Sequence, residues 1–230
     1  MSRSPIIVAL DFDDAQEALK LVDRLQGAID FFKVGKQLFT RKGPEIVREL
    51  RLRGVDVFLD LKFHDIPETV RKAVCSCADL EVRFLTIHTS GGSEMMRAAA
   101  LGAKGSQTEI LGVTVLTSMN DQGLEEIGVN RSISEQVIHL SQLALAAGLN
   151  GLVCSPYEVE MIRQKVSKTI TLVTPGIRGP GDLLNDQKRT LSAKEAIQKG
   201  SSYLVVGRPI TQAKDPVEAA YQIIASISAS

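Results

Sequence analysis

The chain has 230 residues, of which 44% are hydrophobic and 23% are charged, a balance that excludes an intrinsically disordered or fibrous protein. Lysine plus arginine equals aspartate plus glutamate at 27 each, which leaves no basic excess to bind a nucleic-acid backbone or an anionic membrane surface. A small-molecule partner fits this neutral balance better. The first apolar stretch ends at Asp11 and is too short for a signal peptide or a membrane span, so we expect a cytoplasmic protein.

Short runs rich in apolar and β-branched residues recur along the chain, and helical spacing follows them. In chain order, these runs predict eight strands, at residues 6–10, 31–34, 55–61, 84–88, 110–116, 151–154, 169–174 and 203–206. Apolar periodicity between them predicts helices that include residues 15–25, 44–53, 67–78, 134–147, 156–165 and 193–199. Eight strands alternating with helices predict an α/β fold, a single-domain (β/α)₈ TIM barrel that spans residues 1–230.

An open, doubly wound sheet is the structural alternative, since periodicity alone does not show whether a parallel sheet closes. The glycine fingerprint of a dinucleotide-binding fold is absent after the first strand, where Asp11 stands instead. Two connections are unusually long, at residues 117–131 and 175–189. In a barrel both would lie at the C-terminal face, where such loops build active sites.

The chain contains three cysteines, Cys75, Cys77 and Cys154, so they cannot all pair with one another. The spacing of the first two resembles neither a zinc site nor a redox motif. We expect reduced and mostly buried thiols, because free cysteine packs as a small hydrophobe.

Charged residues cluster at the predicted ends of the first three strands. Alternation along the third strand places Asp60 and Lys62 on one face, which at this end of a barrel looks into the mouth. Asp65 lies just beyond them, Lys33 ends the second strand, and Asp11 ends the first. Each residue alone is equally compatible with a solvated strand end or a helix cap. Together they favour a functional cluster, because charges inside a barrel are costly unless they are paired.

A second group of residues suggests a phosphate site after the seventh and eighth strands. The amide of Gly207 and the guanidinium of Arg208 are suited to hold a phosphate, at a frequent phosphate position of barrel enzymes. Alternatively, Pro209 begins a helix and Arg208 is merely exposed. Arg178 adds a second guanidinium after the seventh strand, and the following loop carries Gln187 and resembles a lid.

His64 and His88 raise the possibility of acid–base chemistry or a metal site. His64 lies in a turn close to Pro67, where a structural hydrogen bond is the favoured interpretation. A divalent metal would need carboxylates such as Asp11 and Asp60, but the interleaved lysines would repel the cation. No metal is therefore predicted.

The segment at residues 60–67, Asp-Leu-Lys-Phe-His-Asp-Ile-Pro, resembles the signature of the orotidine 5′-phosphate decarboxylases. The resemblance covers essentially the whole chain and extends to residues 8–11, 33–35, 117–118, 174–178, 186–189 and 206–210. One departure is visible, because Glu68 stands where the family usually has asparagine. This difference leaves the expected catalytic residues intact and bears on a contact between subunits.

The resemblance implies a barrel homodimer that converts orotidine 5′-monophosphate to uridine 5′-monophosphate, the last step of de novo pyrimidine synthesis, without metal or cofactor. Lys33, Asp60, Lys62 and the partner's Asp65 would form an alternating tetrad, and Lys62 would deliver a proton to C6 of the pyrimidine. The remaining implied contacts are Asp11 and the partner's Thr69 to the ribose, Ser118 to the pyrimidine near Thr117, Gln187 from the lid, and Pro175, Arg178, Gly207 and Arg208 around the phosphate.

Two other functions compete with this interpretation. A related phosphosugar decarboxylase or aldolase would share an Asp-x-Lys-x-x-Asp core and a phosphate site but use magnesium. Residues 63–67 and Gln187 favour the nucleotide enzyme. A non-catalytic sensor of a phosphorylated ligand would have no need of Lys62 at a carbanion position.

Overall fold

A computed structural model describes residues 4–178 and 191–228 of the chain. Its barrel strands are β1 (Ile6–Ala9), β2 (Phe31–Gly35), β3 (Asp56–Phe63), β4 (Phe84–His88), β5 (Glu109–Val113), β6 (Gly151–Val153), β7 (Thr171–Thr174) and β10 (Tyr203–Val206). A separate two-stranded pair consists of β8 (Ile177–Arg178) and β9 (Leu191–Ser192). The barrel is parallel and closed, in the order β1-β10-β7-β6-β5-β4-β3-β2, which confirms the predicted TIM barrel and rejects the open sheet.

Helices surround this barrel over the described residues. They are α1 (Ala15–Leu25), α2 (Lys36–Lys42), α3 (Glu45–Leu52), α4 (Pro67–Ala78), α5 (Gly92–Gly102), α6 (Asp121–Glu126), α7 (Ile133–Ala146), α8 (Val159–Lys165), α9 (Ala193–Gln198), α10 (Arg208–Thr211) and α11 (Pro216–Ser228). The six helices named from periodicity are confirmed to within a few residues at their ends. The connection at 117–131 is not a plain loop, because it contains α6.

Local sequence signals explain where several helices begin. Ser132 and Ser192 precede α7 and α9, and each forms a capping box with the glutamate three residues later, Glu135 or Glu195. Asp14 caps α1 by accepting the N–H of Gln16 at 2.8 Å. These caps supply hydrogen-bond partners for backbone N–H groups in the first turn of each helix.

Alternation along the strands divides the core into two layers. In β2, Phe32 and Val34 pack outward with the helices, whereas Phe31 and Lys33 point into the barrel. The inner layer is apolar at mid-height and contains Ile7, Ala9, Phe31, Phe58, Phe84, Leu111, Val173 and Val205.

A cationic side chain fills the N-terminal end of the barrel. The guanidinium of Arg83 lies 5.1 to 5.3 Å from the ring centroids of Phe31, Phe84 and Tyr203. It also pairs with Asp56 at 3.0 Å and donates to the Tyr203 hydroxyl. This packing fills the N-terminal end of the barrel, and the cavity lies at the C-terminal end.

The cysteines largely follow the prediction. All are unpaired, Cys77 and Cys154 are buried, and Cys75 is exposed. Burial raises the pKa of the Cys77 thiol to about 11. Across residues 4–178 and 191–228, none of the helices combines the length and apolar character needed to cross a membrane.

Candidate active site

A cavity of about 520 Å³ opens at the C-terminal ends of the barrel strands. Its walls include apolar side chains such as Phe58, Val113 and Val153. They also include these predicted functional residues: Asp11, Lys33, Asp60, Lys62, Thr117, Pro175, Gly207 and Arg208. The fold therefore brings together residues from both ends of the sequence.

Charges of alternating sign form a continuous row along one wall of this cavity. Lys33 Nζ lies 3.1 Å from Asp11 Oδ1 and 3.8 Å from Asp60 Oδ2. Lys62 Nζ donates to both carboxylate oxygens of Asp60, at 2.7 Å each. The predicted cluster is thus present, in the order Asp11, Lys33, Asp60, Lys62.

Asp60 is the most deeply buried carboxylate of this row, with a side chain that is 12% exposed. Burial by itself would raise the pKa of Asp60, but the charges of Lys33 and Lys62 and the hydrogen bonds from Lys62 and Thr86 outweigh it. The net result is a pKa below the usual range for aspartate. Asp60 is therefore ionised near neutral pH and places a fixed negative charge in the cavity.

The prediction that Asp60 and Lys62 share a face is confirmed, since both line the cavity. The strand is less regular than simple alternation assumes. The pairing of β3 with β4 shifts register between Leu59 and Phe63, and Lys62 has a positive φ of 52°. Such a bulge next to a site redirects side chains.

The residues expected at the phosphate lie at the ends of β7 and β10. Arg208 is the first residue of α10, and Pro209 follows it in the first turn, as the helix interpretation expects. Arg208 is also half-buried and lines the cavity, as the phosphate interpretation expects. Among the described residues, a Cβ added at Gly207 would meet nothing closer than the Cβ of Ala9, at 3.8 Å. Packing among these residues therefore does not explain glycine at this position. Gly176, in contrast, turns the chain after β7 with a φ of 80°.

Three predicted residues do not line the cavity of their own chain. Asp65 and Thr69 are exposed, and Asp65 borders a separate shallow depression, where its carboxylate accepts the N–H of Ile66 at 2.6 Å. Ser118 is exposed beside Thr117. Only the backbone of Arg178 is described, in β8, and Gln187 lies outside the described residues.

Glu68, the departure from the family pattern, lies on the exposed first turn of α4. Its carboxylate pairs with Arg71 at 2.7 Å and with Lys72 at 3.6 Å. The hydrogen bond from Arg71, with the charges of both neighbours, lowers the pKa of Glu68 to about 2 against the opposing effect of desolvation. Glu68 thus forms its ion pairs with residues of its own helix, α4.

His64 and His88 lie close to each other. His64 is exposed, and its ring lies 5.6 Å from that of His88. The structural hydrogen bond expected at His64 stays a prediction. Burial, followed by the charges of His64, Lys62 and Lys36, lowers the pKa of His88 against the influence of Asp60.

Sequence reasoning missed Thr86, which is fully buried in β4 and donates to Asp60 Oδ1 at 2.9 Å. The available signal was a hydroxyl within an otherwise apolar strand, at the level of the charged cluster. As for metals, the described residues contain no group of three or more histidine, cysteine or acidic side chains placed to hold an ion. Metal-independent chemistry stays a prediction.

Comparisons with known proteins place this geometry in a family. A family model described as orotidine 5′-phosphate decarboxylase / HUMPS family matches residues 4–223. A relative from Actinobacillus succinogenes, named orotidine 5′-phosphate decarboxylase, is 50% identical over 228 residues, 98% of each chain. One of the same name from Methylacidiphilum infernorum is 49% identical over 223 residues, 97% of each chain.

A solved structure shows the same relationship in three dimensions. The crystal structure of orotidine 5′-phosphate decarboxylase from Lactobacillus acidophilus matches with a TM-score of 0.87 and 37% identity, covering 98% of this chain and 100% of that one. Sequence and fold similarity therefore agree over nearly the full length. The chain belongs to the orotidine 5′-phosphate decarboxylase / HUMPS family.

Proposed function

We propose that this chain decarboxylates orotidine 5′-monophosphate to uridine 5′-monophosphate, the last step of de novo pyrimidine synthesis, with no metal or cofactor. The observation that carries the proposal is the row of alternating charges from Asp11 to Lys62 inside the barrel cavity. Relatives about half identical over nearly the full chain carry the name of this activity. A row containing two lysines suits a reaction that needs a cation beside a carbanion.

The role of Lys62 follows from the chemistry of the step. When the bond between C6 and the carboxylate breaks, carbon dioxide leaves and the electron pair stays on an sp² carbon. A preorganised cation at that carbon stabilises the developing charge more than mobile water does. Lys62 then transfers a proton to C6, which completes uridine 5′-monophosphate and leaves a neutral amine that takes a proton back from solvent.

Asp60 acts on the substrate side of the same step. Its carboxylate is buried and ionised, and Lys33 and Lys62 hold it in the cavity. We place the substrate carboxylate beside it, so that loss of carbon dioxide relieves a like-charge repulsion. Lys33 balances the charge of Asp60 and of Asp11.

The order of strands around the barrel matches the order of groups in a nucleotide. β7 and β10 are neighbours, β10 pairs with β1, and β2 and β3 follow. A phosphate held by Gly207, Arg208, Arg178 and the loop at Pro175 would thus lie beside Asp11, which would bind the ribose. The base would extend toward Lys62 and contact Thr117 and Ser118, and Gln187, which lies outside the described residues, is a further proposed substrate contact.

We further propose that two chains share each site. The row of charges within one chain ends on the cation Lys62, whereas Asp65 and Thr69 face outward at the start of α4. In a two-fold dimer the partner's Asp65 would extend the row by one carboxylate, and the partner's Thr69 would reach the ribose. A symmetric dimer supplies both sites in the same way.

The direct test follows the ultraviolet absorbance of orotidine 5′-monophosphate as purified protein is added, before and after exhaustive treatment with EDTA. We expect equal turnover in both samples. Activity that disappears with EDTA and returns with magnesium would instead support the metal-using phosphosugar branch of the family. Nucleotide binding without turnover would indicate a sensor.

A pair of variants tests the proton donor. Lys62→Ala should abolish turnover while nucleotide binding persists, because the proposed phosphate and ribose contacts lie on other strands. Lys104→Ala removes an exposed lysine between α5 and β5, at the opposite end of the barrel, and should behave like the wild type. Near-normal turnover in Lys62→Ala would remove Lys62 from this role.

A further inference from the structure

β3, the strand that carries Asp60 and Lys62, has a bulge where it pairs with β4. Leu59 pairs with Leu85 and Phe63 pairs with Ile87, so three residues of β3 stand opposite Thr86 alone. A regular parallel ladder would place one residue there. The backbone of β4 therefore lacks enough hydrogen-bonding groups for this part of β3.

The side chain of Thr86 supplies the missing groups. Its hydroxyl accepts the backbone N–H of Lys62 at 2.9 Å and donates to Asp60 Oδ1 at 2.9 Å. Thr86 is fully buried, so water does not compete for either bond. One hydroxyl thus connects the backbone of Lys62 with the carboxylate of Asp60.

The backbone conformation of Lys62 shows why such a connection matters. Its φ of 52° lies in the left-handed region, which residues with a side chain rarely adopt. In this conformation the ammonium of Lys62 meets both oxygens of Asp60, two positions earlier in the chain, at 2.7 Å. Without a partner for the Lys62 N–H, the more common extended conformation would become competitive.

We propose that Thr86 is a positioning residue whose hydroxyl holds the Lys62 backbone and the Asp60 carboxylate in one arrangement, so that the ammonium stands at a fixed point of the cavity. The geometric part concerns only the chain's own atoms. The catalytic consequence rests on the proposed function, in which that ammonium faces C6. A displacement of about 1 Å at a reacting group lowers rates on the order of 100-fold.

Three substitutions test the proposal through turnover. Thr86→Val keeps the shape and removes the hydroxyl, Thr86→Ala removes it without adding a methyl beside the carboxylate, and Thr86→Ser keeps it. We expect kcat to fall by about 10- to 100-fold in the first two, with KM little changed, and to recover in the serine variant. Urea unfolding of each variant shows whether it remains folded.

Thr108→Val is the matched control for loss of a buried hydroxyl. Thr108 is buried at the N-terminal end of the barrel, where its hydroxyl donates to the Val82 carbonyl at 2.7 Å. This variant should lose stability but keep its kcat. Equal kcat losses in Thr108→Val and Thr86→Val, or a serine variant as slow as the valine variant, would overturn the proposal.

A second readout does not depend on decarboxylation. The hydrogen bond from Thr86 helps to lower the pKa of Asp60, so Thr86→Val should raise that pKa toward its ordinary value and Thr86→Ser should not. Carbon-13 NMR of labelled aspartate carboxyls measures the titration. If the wild type fails to decarboxylate while this shift occurs, the proposed function fails and the positioning role stands. An unchanged titration in Thr86→Val, together with wild-type kcat, would overturn the positioning role itself.

Discussion

Subunit complementation is the sharpest consequence of the proposed shared site. Asp65 is exposed, lies outside the cavity that Lys62 lines, and is followed by Ile66, which is 68% exposed. Lys62→Ala and Asp65→Ala proteins should each be nearly inactive alone. Mixing them under conditions that allow subunits to exchange should restore activity, because a mixed dimer can unite an intact Lys62 with an intact Asp65.

The expected recovery follows from how each site is divided between chains. One site of a mixed dimer combines both substitutions and stays inactive, whereas the other combines the two unchanged residues. Random exchange at equal concentrations makes about half of the dimers mixed, so roughly a quarter of all sites should work. Specific activity per total chain, followed by orotidine 5′-monophosphate absorbance, should therefore rise to about a quarter of the wild-type value.

The structure also provides a matched negative control. Asp60 and Lys62 occupy the same cavity of one chain and contact each other at 2.7 Å. Mixing Lys62→Ala with Asp60→Ala proteins leaves every site with at least one substitution, so activity should stay absent. If the first mixture also remains inactive after native mass spectrometry confirms exchange, Asp65 serves its own chain and the shared-site reasoning is wrong.

Three further predictions concern individual side chains. Arg208→Ala should raise KM by about 10- to 100-fold, the effect of losing one charge-assisted phosphate contact, and should lower kcat by less. An unchanged KM would refute that contact. Arg83→Met should lower the free energy of unfolding in urea by about 3 kcal/mol, because it breaks the pair with Asp56 while Arg51, at 3.5 Å, still offsets part of that charge. The lowered pKa of Asp60 contributes stability that is fully present above its unfolded value of about 3.9 and is lost as pH falls through the lowered value. Urea unfolding measured at a series of acidic pH values should therefore show that the free energy of unfolding falls less steeply with decreasing pH in Asp60→Asn than in the wild type. Parallel curves of unfolding free energy against pH would contradict this.

Strand and helix patterns were readable wherever the chain follows a regular period. β4 matches its predicted bounds at residues 84–88, because it is a short, almost continuously apolar run whose first four residues are buried. The predicted strand at 110–116 runs past the observed end of β5 at Val113. Thr114 and Val115 remain buried although the ladder has ended, and a pattern of buried apolar residues does not by itself separate a strand from a buried coil.

The irregular backbone geometry at the site could not be predicted from the sequence pattern. Alternation correctly placed Asp60 and Lys62 together, but it gave no sign of the register shift or of the positive φ at Lys62. Both occur where Lys62 donates its N–H to a hydroxyl of the neighbouring strand, at Thr86, which lies 24 positions away in the chain. A local pattern cannot contain a contact of this range.

The candidate phosphate and ribose residues illustrate the same limit at the scale of the whole fold. Arg208 and Asp11 come from opposite ends of the chain, and they line one cavity because β1 pairs with β10, with Val8 beside Val206. Periodicity predicted both strands and left their pairing open, since an open sheet fits the same pattern. The count of eight strands and the missing glycine fingerprint favoured closure, which the structure confirms. Closure brings the two strand ends together, and it therefore decides whether a nucleotide can span from Arg208 to Lys62.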